Sequence, residues 1–232
     1  MMTLRKAADR FHTAIDWLDS WHTFSFGSHY DQRHMGFGPL RVINDDRIKG
    51  GGGFPTHGHK DMEIITIVLS GALAHKDSIG TGSVIRPGDV QKMSAGSGIQ
   101  HSEFNASPSE PVHLLQIWIM PNKAVEPEYQ QIHFEAQALR NQFCLVAAEG
   151  KTKSVITLYQ DAKLYIADVS AGESLNYKIA PSRHVWVQMA TGKVLAGSSL
   201  MAEGDGLAVE DEASLTFTAQ TESKILLFDL GN

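Results

Sequence analysis

The chain has one cysteine in 232 residues. Cys144 cannot form an intrachain disulfide, which excludes a disulfide framework and fits a reducing, cytoplasmic compartment. Within FCLVAA it reads as a buried small hydrophobe. Long apolar runs are also missing. The best of them, Ile64 to Leu69, is far too short to cross a bilayer, so no membrane association is expected. The opening MMTLRKAADRFH carries charge without an apolar segment and reads as no secretory signal. Basic runs are absent and the net charge is -6, so no direct nucleic-acid contact is expected. Gly50 to Gly53 opens no obvious helix, which argues against a phosphate cradle. Helical periodicity is scarce throughout.

What is present is a succession of short apolar runs rich in Val, Ile, Leu and Trp, punctuated by Gly, Pro, Asp and Ser. With 42% hydrophobic and 20% charged residues the composition is that of a folded globular chain. Strands are expected at Leu40 to Asn44, Glu63 to Leu69, Val90 to Met93, Leu114 to Met120, Leu164 to Val169, Val185 to Met189 and Lys224 to Asp229. Asp45 and Asp46 read first as a turn after the first of these, and only secondarily as acids near a site. A short helix is expected near Phe134 to Arg140. The fold class is all-β, with closed double-sheet barrels or jelly rolls.

A faint repeat divides the chain. VLSGAL from Val68 resembles MATGKV from Met189, an offset of 121 residues; PGDV from Pro87 resembles EGDG from Glu203, an offset of 116. Residues 121–133, with two prolines, read as the crossover. Two domains are expected, residues 1–130 and 131–232.

The chemistry concentrates in the first domain. His57 and His59 are two apart, and so are His101 and Glu103. On strands, each pair points to one face. Three imidazoles and one carboxylate brought together suit one divalent transition metal among Fe, Ni, Cu, Zn and Mn, and exclude a calcium-type oxygen cage. The repeat offsets place Lys178, Ala180 and His184 at the positions of His57, His59 and Glu63, and Phe217 and Ala219 at those of His101 and Glu103. The second domain is therefore expected to lack metal ligands. His75 and Asp77 read as a structural hydrogen bond. His22, His29 and His34 read as satisfied locally, some of them at a barrel mouth. Trp118 and Trp186 read as core. Phe24, Phe26, Phe37 and Met93 also read as ordinary core, and only secondarily as the wall of an apolar pocket.

The stretch from Gly51 through His57, His59 and Glu63 to Gly71 resembles cupin motif 1, with seven residues between Glu63 and Gly71 where six are usual. Gly96 through Gly98 and His101 to Asn105 resembles motif 2, with Gly96 where proline is usual. WHTFSF from Trp21, GPLRVINDD from Gly38, HGHKDME from His57, MSAGSGIQHSE from Met93 and LQIWI from Leu115 are together similar to the pirin branch of the cupins, which includes pirin-like quercetin 2,3-dioxygenases. These motifs fill most of residues 17–120. The resemblance implies a bicupin, two antiparallel β-barrel domains packed together, with a metal-binding N-terminal cupin barrel. It implies His57, His59, His101 and Glu103 as metal ligands, with Glu63, the carboxylate of the wider cupin pattern, second. It implies a dioxygenase that cleaves flavonols such as quercetin, with O2 adding at a metal-bound enolate and carbon monoxide released. Fe(II) is the expected metal, a phenol and O2 the expected substrates, and Glu103 the expected base with Glu63 as alternative. The same branch implies a second function: a redox-sensing regulator that binds a protein partner through a metal-dependent surface.

Overall fold

A computed structural model describes residues 1–150 and 153–231. The fold is nearly all-β, as expected, and the one α-helix among the described residues is the single turn Ala136–Leu139. Among the described residues no helix is long and apolar enough to cross a membrane. The strands group into two compact units. Their boundary is not a single cut near residue 130. Residues 1–10 join 134–150 and 161–231 in one unit, and residues 153–160 join 11–133 in the other.

The unit that carries the histidines has two antiparallel sheets. Across the larger lie Glu128–His133, Asp89–Ser94, Glu63–Ser70, Val112–Ile119, Leu40–Ile48, Leu18–His22 and Phe11–Ala14, in that order. The smaller runs Gly53–His59, Ile99–Asn105, Leu73–Asp77, Gly82–Ile85. The two remain separate sheets, so the jelly roll is an open sandwich rather than one closed barrel. Leu18, Ile48, Val68, Val112 and Leu114 of the large sheet pack against Leu73 and Ile85 of the small one. Burying such side chains contributes about 1.5–3 kcal/mol each.

Side-chain alternation carries this inner face onward along each strand. Leu18 gives way to Ser20 and His22, Ile48 to Asp46 and Asn44, and Leu114 to Gln116 and Trp118. The core is thus apolar at one end and polar at the other. The strand Leu40–Ile48 includes Asp45 and Asp46, both buried, which corrects the turn expected there. The sheet ladder continues because no glycine or proline interrupts the chain before Gly50. Asp45 is held by Arg47 at 3.2 Å and by His113 at 2.6 Å.

The other unit repeats the plan. Its large sheet includes, in order, Met2–Arg5, Gly206–Val209, His184–Thr191, Ser223–Leu230, Ala162–Val169 and Cys144–Glu149. Its small sheet runs Ser174–Lys178, Ser214–Ala219, Lys193–Ala196, Ser199–Ala202. The repeat turns correspond: Gly71 and Gly192 both take positive φ, as do Gly88 and Gly204. Cys144 is half-buried rather than buried.

Candidate metal centre

Both histidine pairs lie on the small sheet, as the spacing predicts. His57 sits directly across from His101 on the antiparallel neighbour. On the other side of that central strand, Asp77 faces His101 and His75 faces Glu103. Alternation buries Ile99, His101, Glu103 and Asn105 and leaves Gln100 and Phe104 exposed. A bulge interrupts the pairing between His101 and Glu103, opposite the stretch 54–57. Pro55, which has no N–H to give the ladder, lies there. Two glycines make the close approaches. A Cβ on Gly53 would lie 2.5 Å from the Glu103 carbonyl. Gly96, standing at a usual proline position, takes φ +50 and would place a Cβ 2.4 Å from the Val125 carbonyl.

The imidazoles converge. Ring centroids lie 4.4 Å apart for His57 and His101, 4.7 Å for His57 and His59, and 4.8 Å for His59 and His101. Ligating atoms of these three lie within 4.8 Å of one another, and so do those of His75, His101 and Glu103. His57 Nδ1 donates to the Pro55 carbonyl at 2.9 Å, which leaves its Nε2 as a lone-pair donor. That Nε2 is 3.0 Å from His101 Nε2. Two nitrogens each bonded to one metal at ordinary lengths, at right angles, stand about 3 Å apart, so this spacing suits adjacent coordination positions. Burial, then the neighbouring His57, lowers His59 to about 4; burial, then His57 and His59, lowers His101 to about 2. Both rings are therefore neutral at neutral pH, the form that coordinates a metal. The donor set fits a nitrogen-rich transition-metal site.

Glu103 is buried beside them, and Gln116 donates to its Oε2 at 2.8 Å. Burial pushes its carboxyl up to about 7 against that hydrogen bond, and the Asp46 charge adds to the rise. Glu63 lies elsewhere. Among the described residues it joins neither ligand group. It accepts from the Tyr159 backbone N–H at 2.9 Å and faces the fully buried Lys92 at 3.6 Å, which also faces Glu128 at 3.6 Å. His75 Nε2 donates to Asp77 at 3.0 Å, the structural bond expected, though on a strand that flanks the imidazoles.

A cavity of about 390 Å³ opens beside His57 and His59. Leu18, Phe26, Phe54 and Trp118 wall it, and Ser20, His22, Asn44, Asp46 and Gln116 line its polar side. Trp118 and Phe26 are thus pocket wall, where core packing was the expectation. Phe24, Met93 and Trp186 are buried as expected. Of the N-terminal histidines, His22 and His29 reach the cavity, while His34 bonds Asp31 at 3.1 Å. Asp46, expected first as a turn residue and only secondarily as an acid near a site, lines the cavity. Its carboxyl is held near 7 chiefly by burial, against the Ser20 hydrogen bond. Gln116 was missed, although alternation along Leu114, Gln116 and Trp118 marks it as inward.

A double-sheet β unit repeated twice, with a cluster of histidines on the small sheet of one copy, defines a cupin of the two-domain kind. Residues 4–119 match the Pirin family, and residues 145–230 match the quercetinase C-terminal cupin domain. The chain is 45% identical over 231 residues to a protein of Escherichia coli K12 named quercetin 2,3-dioxygenase, with 99% of each covered. It is 38% identical over 215 residues to a pirin-like protein of Caulobacter vibrioides, with 92% of each covered. Among solved structures, the E. coli bacterial pirin YhhW in complex with nickel(II) superposes with a TM-score of 0.94 at 44% identity, covering 100% of this chain and 99% of that one. The chain belongs to the pirin family.

Proposed function

We propose that this protein is a metal-dependent dioxygenase that cleaves flavonols such as quercetin, with Fe(II) held by His57, His59, His101 and Glu103. The observation that carries the reading is the convergence of three neutral imidazoles, with a buried carboxylate alongside, at the edge of an aromatic-walled cavity. The name and nickel complex of the E. coli relatives support it. A metal bound there supplies Lewis acidity toward a substrate hydroxyl and the redox chemistry that O2 requires.

The protein's own groups do the rest. His57 is oriented by Pro55 and offers Nε2 inward. Trp118, Phe26 and Phe54 take the flat rings and exclude water. Glu103 is the proton acceptor for the substrate hydroxyl; burial holds its carboxyl near 7, and Gln116 fixes one oxygen. The test is O2 uptake with carbon monoxide release on adding quercetin to anaerobically purified, Fe(II)-loaded protein, with the His101→Ala variant alongside. Coupled uptake and release, lost in the variant, is the expected result. No turnover by protein shown to retain its metal overturns the reading.

A further inference from the structure

We infer that Asp46 selects the substrate, by accepting a hydrogen bond from a second hydroxyl of a polyhydroxylated aromatic ligand whose first hydroxyl lies at the imidazole cluster. This rests on the flavonol reading of the cavity and names the part of that ligand class which the site can tell apart.

Asp46 lines the cavity but is only 2% exposed. Its Oδ1 accepts from the Ser20 hydroxyl. Its other carboxylate oxygen has no hydrogen-bond donor among the described residues. A buried carboxylate left with an open acceptor is costly unless something donates to it.

Among the described residues, His22, Thr13, His29, Gln116 and Trp118 donate to one another, to Asn44 or to Glu103 and not to that oxygen. Asn44 Oδ1 can only accept, so His22 Nδ1 carries the proton of their 2.8 Å bond. His22 Nε2 then accepts from Thr13 Oγ1 at 2.9 Å, and Thr13 in turn accepts from His29 Nε2 at 3.1 Å. Ser20 Oγ spends its proton on Asp46 and lies 3.4 Å from His22 Nδ1. Gln116 donates to Glu103 and accepts from Trp118 Nε1 at 3.1 Å. One set of tautomers satisfies this whole run, and it ends on Asp46 as an acceptor facing the cavity.

The apolar walls give the rest of the ligand its character. Leu18, Phe26, Phe54 and Trp118 suit aromatic rings, and about 390 Å³ lies in the range that encloses a small organic molecule. A ligand with rings alone would fill the walls and strand the carboxylate. A ligand with a second hydroxyl pairs with it.

The experiment compares quercetin with 3-hydroxyflavone, which keeps the 3-hydroxyl and the ring system but lacks the other hydroxyls. Binding is read by quenching of the intrinsic tryptophan fluorescence, to which Trp118 at the cavity wall contributes, in metal-free protein and anaerobically in Fe(II)-loaded protein; kcat and KM are measured on the latter. Wild type is expected to prefer quercetin by about 10- to 100-fold, because its analogue leaves a buried acceptor unpaired. In Asp46→Asn, which is isosteric and removes a buried charge, the two ligands are expected to converge to within about threefold. The change should fall mainly on the KM for quercetin. A melting curve and near-ultraviolet circular dichroism establish that the variant is folded. An unchanged preference in folded Asp46→Asn, with turnover intact, overturns the role of Asp46 and leaves the dioxygenase reading standing. A wild-type protein that binds neither flavonol overturns both.

Discussion

The two units share a strand plan and differ in what their small sheets hold. In one, His57 faces His101, and His75 and Asp77 flank from the next strand. In the other, Leu175 faces Phe217, and Val194 and Ala196 occupy the flanking strand, with Ala196 across from Phe217. Phe217, Val194 and Ala196 belong to a closed apolar core, against which Leu175, Phe143 and Tyr177 pack. The same backbone thus makes a polar hollow in one copy and a filled core in the other. A sandwich of this kind does not need its inner polar groups to fold. The histidine cluster is an expense of function, and each copy predicts what happens when the other's residues are imposed on it.

The largest effect is expected from His101→Ala, which removes the imidazole shared by both ligand groups. Turnover of quercetin should fall below detection, and retained metal, read by elemental analysis after dialysis, should fall by about 100-fold in affinity or more. Variant protein that keeps full activity would remove His101 from the site.

Lys92→Met comes next. It leaves Glu63 buried opposite an apolar chain, which should cost about 3–5 kcal/mol by denaturant unfolding. Adding Glu63→Gln should recover most of that loss, a coupling read by the double-mutant cycle. Metal content should be unchanged in both. A loss of metal in the Glu63 variant would return that carboxylate to the ligand set.

Phe217→His carries the comparison into the second unit. It places an imidazole where His101 stands in the first, but among apolar neighbours. The expected outcome is about 3–4 kcal/mol of destabilisation and no additional bound metal. A second equivalent of metal would show that the plan alone makes a site.

The smallest effect is a gain. Burial raises the Asp46 carboxyl from 3.8 to about 7, so the folded state holds a proton that the unfolded chain has released. Ionising it therefore costs stability as pH rises from about 4 to 7, and the cost is complete above that. Asp46→Asn should stabilise the metal-free protein by about 2–4 kcal/mol at pH 8, with the gain vanishing near pH 4. A pH-independent difference would show that the carboxyl is not desolvated as described.

Much of this was legible in the sequence, and for physical reasons. Period-two spacing put His57 with His59 and His101 with Glu103, because a strand has only two faces. The repeat offset of 116 reached Phe217 correctly, since the turn at Gly88 and that at Gly204 start matching strands. The offset of 121 failed for His57. It pointed to Lys178, whereas the residue facing Phe217 is Leu175. The connection before His184, residues 179–183, is longer than the one before Glu63, residues 60–62. The polar side of the cavity was hidden for another reason. Asn44, Asp45 and Asp46 in succession look like a turn, and only the pairing of Ser20 with Asp46 and of His22 with Asn44 shows a sheet that carries Asn44 and Asp46 inward. The hydrogen-bonded run through Thr13, His22 and His29 joins residues that no spacing rule connects.

The first strand of the chain, Met2–Arg5, pairs with Gly206–Val209 at the edge of the second unit's large sheet, the place Glu128–His133 takes in the first unit beside Asp89–Ser94. Nearly the whole sequence separates these two hydrogen-bonded partners. The ladder between them therefore closes only after Gly206–Val209 has been synthesised, and it is a contact of very long loop entropy. A fragment beginning at residue 131 would present Gly206–Val209 as a bare edge, open to pairing with its own copies. The protein is two domains in plan, but neither half can be cut free along the sequence without leaving a sheet unfinished.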